Sequence, residues 1–161
     1  MSSPHVVVLD YGSGNVHSVA KALEVAGARV ELTRDRDAVL NADGLIVPGV
    51  GAFTAVIDQL NAVKGGELID KRLVAGKPVM GICVGLQVMF EHGVEHGIET
   101  DGLGQWRGTV ELLDAPLVPH IGWNRVRFRG DHPMIAGLPP EDDFYFVHGY
   151  RAVPSDPERI A

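Results

Sequence analysis

Cys83 is the only cysteine among the 161 residues, and it lies in the segment Gly81-Ile82-Cys83-Val84-Gly85. An apolar run of strand length precedes this segment, and a helix-like segment follows it. Glycine two residues to either side of a nucleophile, at a strand-to-helix turn, is typical of a nucleophile elbow. The N–H groups at the start of the helix would also favour the thiolate over the thiol. The alternative is a small thiol buried in the core, where free cysteines are often found.

The segments around the elbow predict a doubly wound α/β fold. Strand-like runs occupy residues 5–9, 29–33, 45–47 and those just before Cys83. Segments of helical character separate them at residues 16–26, 35–42, 55–63 and 67–75, with a break expected at Gly65-Gly66. This alternation predicts a mostly parallel central sheet with helices on both faces. We also expect Asn15 to cap the first helix and Gly27 to end it.

The second half of the chain differs from the first, because glycines and prolines divide it into loops and short strands. Strand-like segments are predicted at residues 109–113, 124–129 and 143–147. We expect these segments to be antiparallel additions to the central sheet. Residues 1–161 would then form a single domain, as a chain of this length usually does.

Three loops are expected to meet at one edge of the parallel sheet, because each follows the carboxyl end of a strand. They are Tyr11–Gly14, Pro48–Gly51 and the turn at Cys83. In the second loop, Gly49 and Gly51 flank Val50, which leaves the backbone N–H groups exposed. Such a loop is suited to binding an oxyanion or another anion, although an ordinary strand-to-helix turn would look the same.

Composition and charge exclude several classes of protein. The formal net charge of −7 argues against general nucleic-acid binding. No window is apolar for long enough to cross a membrane, and the run Val6–Leu9 is too short and lacks the basic flank of a signal peptide. A single cysteine cannot form an internal disulfide, which is consistent with a cytoplasmic location. We expect neither a cofactor nor a bound metal ion.

Two motif-like strings suggest other chemistry and are disfavoured. Gly12 and Gly14 begin a dinucleotide-binding pattern, but the third glycine would fall at His17. The string His92-Gly93-Val94-Glu95-His96 matches an inverted zinc-protease motif, which requires a stable helix. Glycine within that string and just after it weakens such a helix. A solvated helix end is the simpler interpretation.

Five segments together carry a resemblance to a known family. They are Asp10–Asn15, Pro48–Phe53, Gly81–Gln87, Pro119–Asn124 and Phe144–Tyr150. The elbow resembles that of class I, triad-type glutamine amidotransferases. The Pro-Gly-Val-Gly, Pro-His-Ile-Gly-Trp-Asn and Tyr-Phe-Val-His strings narrow the resemblance to the amidotransferase subunits of imidazole glycerol phosphate synthase. The similarity extends from about residue 5 to about residue 150.

The resemblance implies a role for each site residue, beginning with Cys83 as the nucleophile that attacks the carboxamide of glutamine. The backbone N–H groups of Val84 and of the Gly49-Val50-Gly51 loop would hold the oxyanion. Gln87, one helical turn after Cys83, would help to hold the substrate, and Glu95 would lie near its amino group. His148 and Gly149 would also contact the substrate. The family more often has serine or threonine at the position of Gly149.

The resemblance also implies a partner. Family members form a heterodimer with a (β/α)₈ cyclase subunit, which uses the ammonia to make imidazole glycerol phosphate and aminoimidazole carboxamide ribotide in histidine biosynthesis. Asn15, Trp123 and Tyr145 would lie at that interface. The alternating Arg125, Arg127 and Arg129 would face either the partner or solvent.

One part of the expected machinery is missing from the sequence. Attack on an amide requires a base, which the family supplies from a His-x-Glu segment on a later strand. No His-x-Glu occurs in these 161 residues. We therefore expect the domain to be incomplete at its C-terminal end. His148 is a poor substitute, because the resemblance gives it another role.

Three alternatives remain open. The chain could be the glutaminase domain of another synthase, although the Pro-His-Ile-Gly-Trp-Asn string argues against it. It could be a non-catalytic binding or regulatory module that retains the elbow without the base. A hydrolase or chaperone of similar topology would need an acid near the cysteine, and no clear candidate is present.

Overall fold

The computed structural model describes residues 3–130 and 132–156. Its centre is a four-stranded parallel sheet, formed by β1 (His5–Leu9), β2 (Arg29–Thr33), β3 (Gly44–Gly49) and β4 (Val79–Cys83). The strand order is β2-β1-β3-β4, so the topological switch lies between β1 and β3. Consecutive residues of β1 and β3 are buried, as a parallel sheet covered on both faces requires.

Five helices connect these strands or follow them. They are α1 (Val16–Val25), α2 (Arg36–Asn41), α3 (Phe53–Ala62), α4 (Gly65–Val74) and α5 (Val84–Gln87). Asn15 and Asp35 cap α1 and α2 by accepting from the Ser18 and Ala38 N–H groups. The chain moves from β1 to β2 and then back across to β3, so right-handed crossovers place α1 and α2 on opposite faces of the sheet. The predicted cap at Asn15 is confirmed, and the positive φ of Gly27 (93°) fits a helix end.

The two helices predicted on either side of Gly65-Gly66 are present, but the break between them does not lie at the glycines. The chain turns one residue earlier, at Lys64, which adopts a left-handed conformation, and α4 begins at Gly65. A Cβ at Gly65 would lie 2.7 Å from a methyl group of Leu60. Gly65 therefore allows close packing between α3 and α4, and it does not interrupt a helix.

The C-terminal half forms two further sheets. Its strands are β5 (Phe90–Glu95), β6 (Ile98–Asp101), β7 (Trp106–Leu112), β8 (His120–Arg127), β9 (Glu141–His148) and β10 (Tyr150–Pro154), with a short 3₁₀ helix at Pro133–Ile135. One sheet has the order β10-β7-β5-β6, and β8 pairs with β9 alone. The α/β class is confirmed, but these strands do not extend the central sheet, and β5 and β7 run parallel. The sequence patterns also missed β5, β6 and β10 and placed the start of β8 four residues late.

The core joins the central sheet to α3, α4 and the first strands of the second sheet. Val7, Leu9, Val47 and Leu60 are fully or almost fully buried within it. Arg72 is also buried, and its guanidinium donates to carbonyl oxygens of α2 and of the segments before β3 and β4. None of the helices in the described ranges is long and apolar enough to span a bilayer.

Candidate active site

Cys83 lies at the junction of β4 and α5 in a strained backbone conformation. Its φ of 57° and ψ of −121° lie outside the regions that L-residues usually occupy. Its side chain is exposed and unbridged, which contradicts the alternative of a buried core thiol. Strain of this kind in a non-glycine residue is typical of functional sites. The structure therefore has the backbone geometry of a nucleophile elbow.

Three glycines permit this geometry by allowing backbone-to-backbone contact. A Cβ at Gly81 would lie 2.5 Å from the Leu86 Cα, within the turn itself. A Cβ at Gly49 would overlap the Gly85 nitrogen, and one at Gly85 would overlap the Val47 carbonyl oxygen. The end of β3 and the start of α5 therefore touch without intervening side chains. This contact sets the position of Cys83 relative to the loop that follows β3.

A cleft of about 210 Å³ opens beside Cys83. Its walls come from the loop after β3, the elbow, β5 and the β9–β10 connection. Lining residues are Val50, Gly51, Phe53, Cys83, Val84, Gln87, Gly93, Val94, Glu95, Val110, Val147, His148, Gly149 and Tyr150. All of the residues predicted to bind substrate or oxyanion line this cleft, except Gly49. Gly49 is buried beneath it, as the last residue of β3.

The loop after β3 is shorter than predicted, because Pro48 and Gly49 belong to the strand and pair with Ile82 and Cys83. Its first residue, Val50, is held by a serine from the loop after β1. The Val50 N–H donates to Ser13 Oγ at 3.1 Å, and the Ser13 hydroxyl lies 3.1 Å from the Val50 carbonyl oxygen. The Val50 N–H, a predicted oxyanion donor, is therefore engaged by Ser13 in this conformation.

Tyr11 provides a second tie between the same two loops. Its hydroxyl donates to the Pro48 carbonyl oxygen, and its ring is buried. Burial raises the pKa of Tyr11 to about 12, although a hydrogen bond with Ser13 acts in the opposite direction. The phenol is therefore a neutral donor at ordinary pH. A Cβ at Gly14 would lie 2.6 Å from the Pro48 side chain, so the two loops are in tight contact.

Gln87 and His148 meet on the far wall of the cleft. The Gln87 amide donates to the Tyr150 carbonyl oxygen at 3.4 Å, and His148 Nδ1 lies 2.9 Å from the same oxygen. A carbonyl can only accept, so Nδ1 carries the proton. His148 Nε2 in turn lies 3.4 Å from His120 Nδ1. His148 is therefore bonded within the wall through both ring nitrogens.

Glu95 lies at the end of β5, and not on a helix. Its Oε2 accepts the Phe53 N–H at 2.8 Å, and the side chain is half-buried in the cleft wall. The expectation that His92–His96 forms a solvated helix end is wrong. His92 is on β5, while His96 and Gly97 form the turn into β6. The helical spacing that the zinc motif requires is absent, and residues 3–130 and 132–156 contain no cluster arranged to hold a metal.

Trp123 and Tyr145 lie together on the exposed β8–β9 hairpin. They are cross-strand partners whose rings meet edge to face at 5.5 Å. Trp123 is 70% exposed and Tyr145 is 55% exposed, so both rings present large apolar surfaces to solvent. Arg125 and Arg127 pair with Asp143 and Glu141 on the same hairpin. Asn15 is exposed elsewhere, beside the loop that contains Ser13.

Sequence reasoning missed several residues that the structure brings to the site. Ser13 and Phe53 lie inside two of the segments that carry the family resemblance. No local pattern indicates that Ser13 contacts a residue 37 positions away or that Phe53 contacts one 42 positions away. Tyr150 contributes its carbonyl oxygen, a group that every residue has. Gly93 had a detectable signal, since an isolated glycine in a strand often marks a close approach. Its Cβ would lie 2.6 Å from the Phe53 ring.

Comparison with known proteins identifies the family. The model of the family described as Glutamine amidotransferase class-I matches residues 7–161. A crystal structure of a glutamine amidotransferase aligns with a TM-score of 0.70 at 20% identity, covering 90% of this chain and 71% of that chain, which shows a shared fold. The chain therefore belongs to the class-I glutamine amidotransferases, and the predicted fold class is confirmed.

Two curated relatives narrow the assignment. The chain is 62% identical over 152 residues to the imidazole glycerol phosphate synthase subunit HisH of Leifsonia xyli subsp. xyli, covering 94% of this chain and 72% of that protein. It is 54% identical over 152 residues to the subunit of the same name from Nocardia farcinica, with the same coverage. Within the class-I amidotransferases, the chain belongs to the HisH family.

Replacing Gly49 tests the contact between β3 and α5. We expect Gly49→Ala to lower the free energy of unfolding by about 3 kcal/mol, because backbone atoms cannot move aside as a flexible side chain can. Gly44→Ala on the same strand is the matched control, since its Cβ would meet Val6 at an ordinary 3.7 Å. Urea unfolding of both variants measures the difference. Equal midpoints for the two variants would contradict the assignment of this contact.

Proposed function

We propose that this chain carries the glutaminase chemistry of its family, with Cys83 as the nucleophile. The observation that carries the proposal is an exposed cysteine in a strained elbow, at a cleft lined by Gln87 and Glu95. The thiolate would attack the carboxamide carbon of glutamine and form a tetrahedral oxyanion. Collapse would expel ammonia and leave a glutamyl thioester. Water would then hydrolyse the thioester to glutamate and restore the thiol.

The surrounding residues would bind the substrate and the oxyanion. The Val84 N–H at the elbow and the N–H groups of the Gly49–Gly51 segment would hold the oxyanion, and each such donor is typically worth about 10²–10³ in rate. Gln87 would hold the substrate, and Glu95 would attract its ammonium group. His148 and Gly149 complete the opposite wall. The bonds of His148 to Tyr150 and His120 occupy both of its ring nitrogens, which argues against the role of base.

We propose that the base lies in a segment outside these 161 residues. No His-x-Glu occurs in the sequence, and the chain spans 72% of the Leifsonia relative's length. A thiol without a base is a poor nucleophile towards an amide, because the leaving ammonia must also be protonated. The single domain would then extend beyond residue 161.

An activity assay of the 161-residue chain alone tests whether the base lies outside it. We expect it to release glutamate from glutamine negligibly, because it lacks the base, while the complete subunit with its synthase partner is active. An enzymatic glutamate assay measures both proteins, with Cys83→Ala as the control for residual activity. If the isolated chain releases glutamate and Cys83→Ala abolishes that release, the proposal that the base lies outside these residues is refuted.

The Ser13 contact gives the proposed site an inactive conformation. Ser13 engages the Val50 N–H, and the glycines on either side of Val50 allow the peptide to rotate at low cost. We propose that the complete subunit stays quiescent until binding of its partner releases this peptide toward the cleft. While Ser13 holds the Val50 N–H, that group cannot stabilise the oxyanion, so the glutaminase rate without the partner would be low.

Removing the Ser13 hydroxyl tests this restraint. Without the partner, we expect Ser13→Ala to raise the glutaminase rate of the complete subunit by about tenfold, a fraction of the worth of one oxyanion donor. Ser18→Ala removes an exposed hydroxyl from α1 and serves as the matched control. Unchanged or reduced activity in Ser13→Ala, relative to Ser18→Ala, would show that the contact does not restrain the loop.

We propose that the partner is a (β/α)₈ cyclase subunit that forms a heterodimer with this protein and receives its ammonia. The exposed face of the β8–β9 hairpin supports this proposal. Ile121 and Val147 lie beside Trp123 and Tyr145 on that face, and all four are more than half exposed. A two-stranded hairpin is marginally stable by itself, and an apolar patch of this kind marks an interaction surface. Asn15 would contact the same partner, and the complex would be cytoplasmic.

Trp123 is expected to be a major contact with the cyclase. Trp123→Ala should raise the dissociation constant of the complex about tenfold or more, because a central tryptophan at an interface typically contributes at least about 2 kcal/mol. Ile98→Ala removes a similarly exposed apolar side chain from the edge strand β6 and provides the control. Calorimetric titration measures both variants. Equal affinities would place the interface elsewhere.

A further inference from the structure

Helix α3 begins immediately after the Val50–Ala52 loop and lacks a side-chain cap from its own N-cap residue. Its N-cap residue is Ala52, whose methyl group cannot accept a hydrogen bond, and no side-chain cap is formed there. The Phe53 N–H donates instead to the Glu95 carboxylate at 2.8 Å. The acceptor comes from β5, on a different sheet. A carboxylate at this end of a helix is also favoured by the helix dipole.

Two further contacts join the same hairpin to the first turn of α3. Thr54 Oγ1 and Thr100 Oγ1 of β6 are 2.7 Å apart. Gly93 also packs against the Phe53 ring, to which an added Cβ would approach within 2.6 Å. The β5–β6 hairpin therefore holds the start of α3 at three points, and the Glu95 and Gly93 contacts also line the cleft.

The loop beside Cys83 is consequently restrained at both ends. Ser13 holds its first residue, Val50, while Glu95 holds Phe53, the residue that directly follows the loop. Only three residues, Val50 to Ala52, lie between Gly49 of β3 and Phe53. A displacement of the Phe53 backbone would therefore also displace Gly51 and Val50, because so short a segment has little conformational freedom.

We propose that Glu95 is a positioning residue, whose carboxylate fixes the oxyanion loop by capping α3. This role rests on the proposed function and is separate from any contact with the substrate ammonium. An ionised carboxylate has about four acceptor positions, so one group can serve both purposes. Substrate bound at Glu95 would then be linked directly to the position of the loop.

Two substitutions at Glu95 separate the roles. Glu95→Gln removes the charge but keeps an oxygen that can accept the Phe53 N–H, whereas Glu95→Ala removes both. In the complete synthase, both variants should raise the KM for glutamine, since both lose the charge. We expect kcat to fall about tenfold or more in Glu95→Ala, because small displacements of catalytic groups are costly, and to stay within about threefold of wild type in Glu95→Gln.

Hydrogen exchange provides a second readout that does not depend on catalysis. The amides of residues 50–54 should exchange faster in Glu95→Ala than in wild type, and Glu95→Gln should restore the protection. Thr100→Val removes the neighbouring tie without touching the cleft, and its kcat should remain near wild type.

Equal kcat values for the two Glu95 variants, with equal exchange at residues 50–54, would overturn the positioning role. A loss of kcat in Thr100→Val as large as that in Glu95→Ala would also overturn it, since general loosening of the hairpin would then be the cause. A wild-type complex without glutaminase activity would refute the proposed function instead. In that case the exchange measurement still decides whether Glu95 holds the loop.

Discussion

The site depends on direct backbone contact between the end of β3 and the start of α5. Gly49 and Gly85 allow two main chains to meet where any side chain would separate them. The same contact forces the tight turn in which Cys83 adopts a positive φ. Separating these elements by even one methyl group would move Cys83 away from the loop after β3. The strain at Cys83 persists because the parallel pairing of β3 and β4 continues as far as Cys83 itself.

The loop beside Cys83 is held by side chains that are distant from it in sequence. Ser13 and Tyr11 reach it from the loop after β1, and Glu95 reaches it from β5. Each of these contacts joins a polar side chain to a backbone group, so the conformation of the loop is set by its neighbours more than by its own sequence. Such a loop can change conformation when one contact is exchanged for another, without disturbing the sheet beneath it.

The sequence predicts the central sheet well, because each of its signals is local. Apolar runs and helical periodicity locate β1 to β4 and the four longer helices, and Asn15 caps α1 as its position indicates. The glycine spacing around Cys83 also predicts the elbow correctly, although the contact of Gly85 with Gly49 joins residues distant in sequence. The resemblance to the family predicts that Gln87, Glu95 and His148 share one site, and all three line the cleft beside Cys83.

The errors arise where distant contacts decide the structure. Gly65 appears to break a helix, but it is the first residue of α4 and packs closely against Leu60, which periodicity does not reveal. The string around Glu95 resembles a helix end, yet pairing with β6 and β7 makes it a strand. The bonds of Ser13 and Glu95 to the loop cross between separate elements. They are visible only once the fold has brought those elements together.

Trapping the acyl-enzyme tests the central claim most directly. The complete synthase would be mixed with glutamine, quenched in acid within a turnover, digested and examined by mass spectrometry. The account predicts a glutamyl adduct on the peptide that contains Cys83, absent from the Cys83→Ala variant. Steady hydrolysis of glutamine by the wild-type synthase, together with an unmodified Cys83 peptide and undiminished activity in Cys83→Ala, would contradict it.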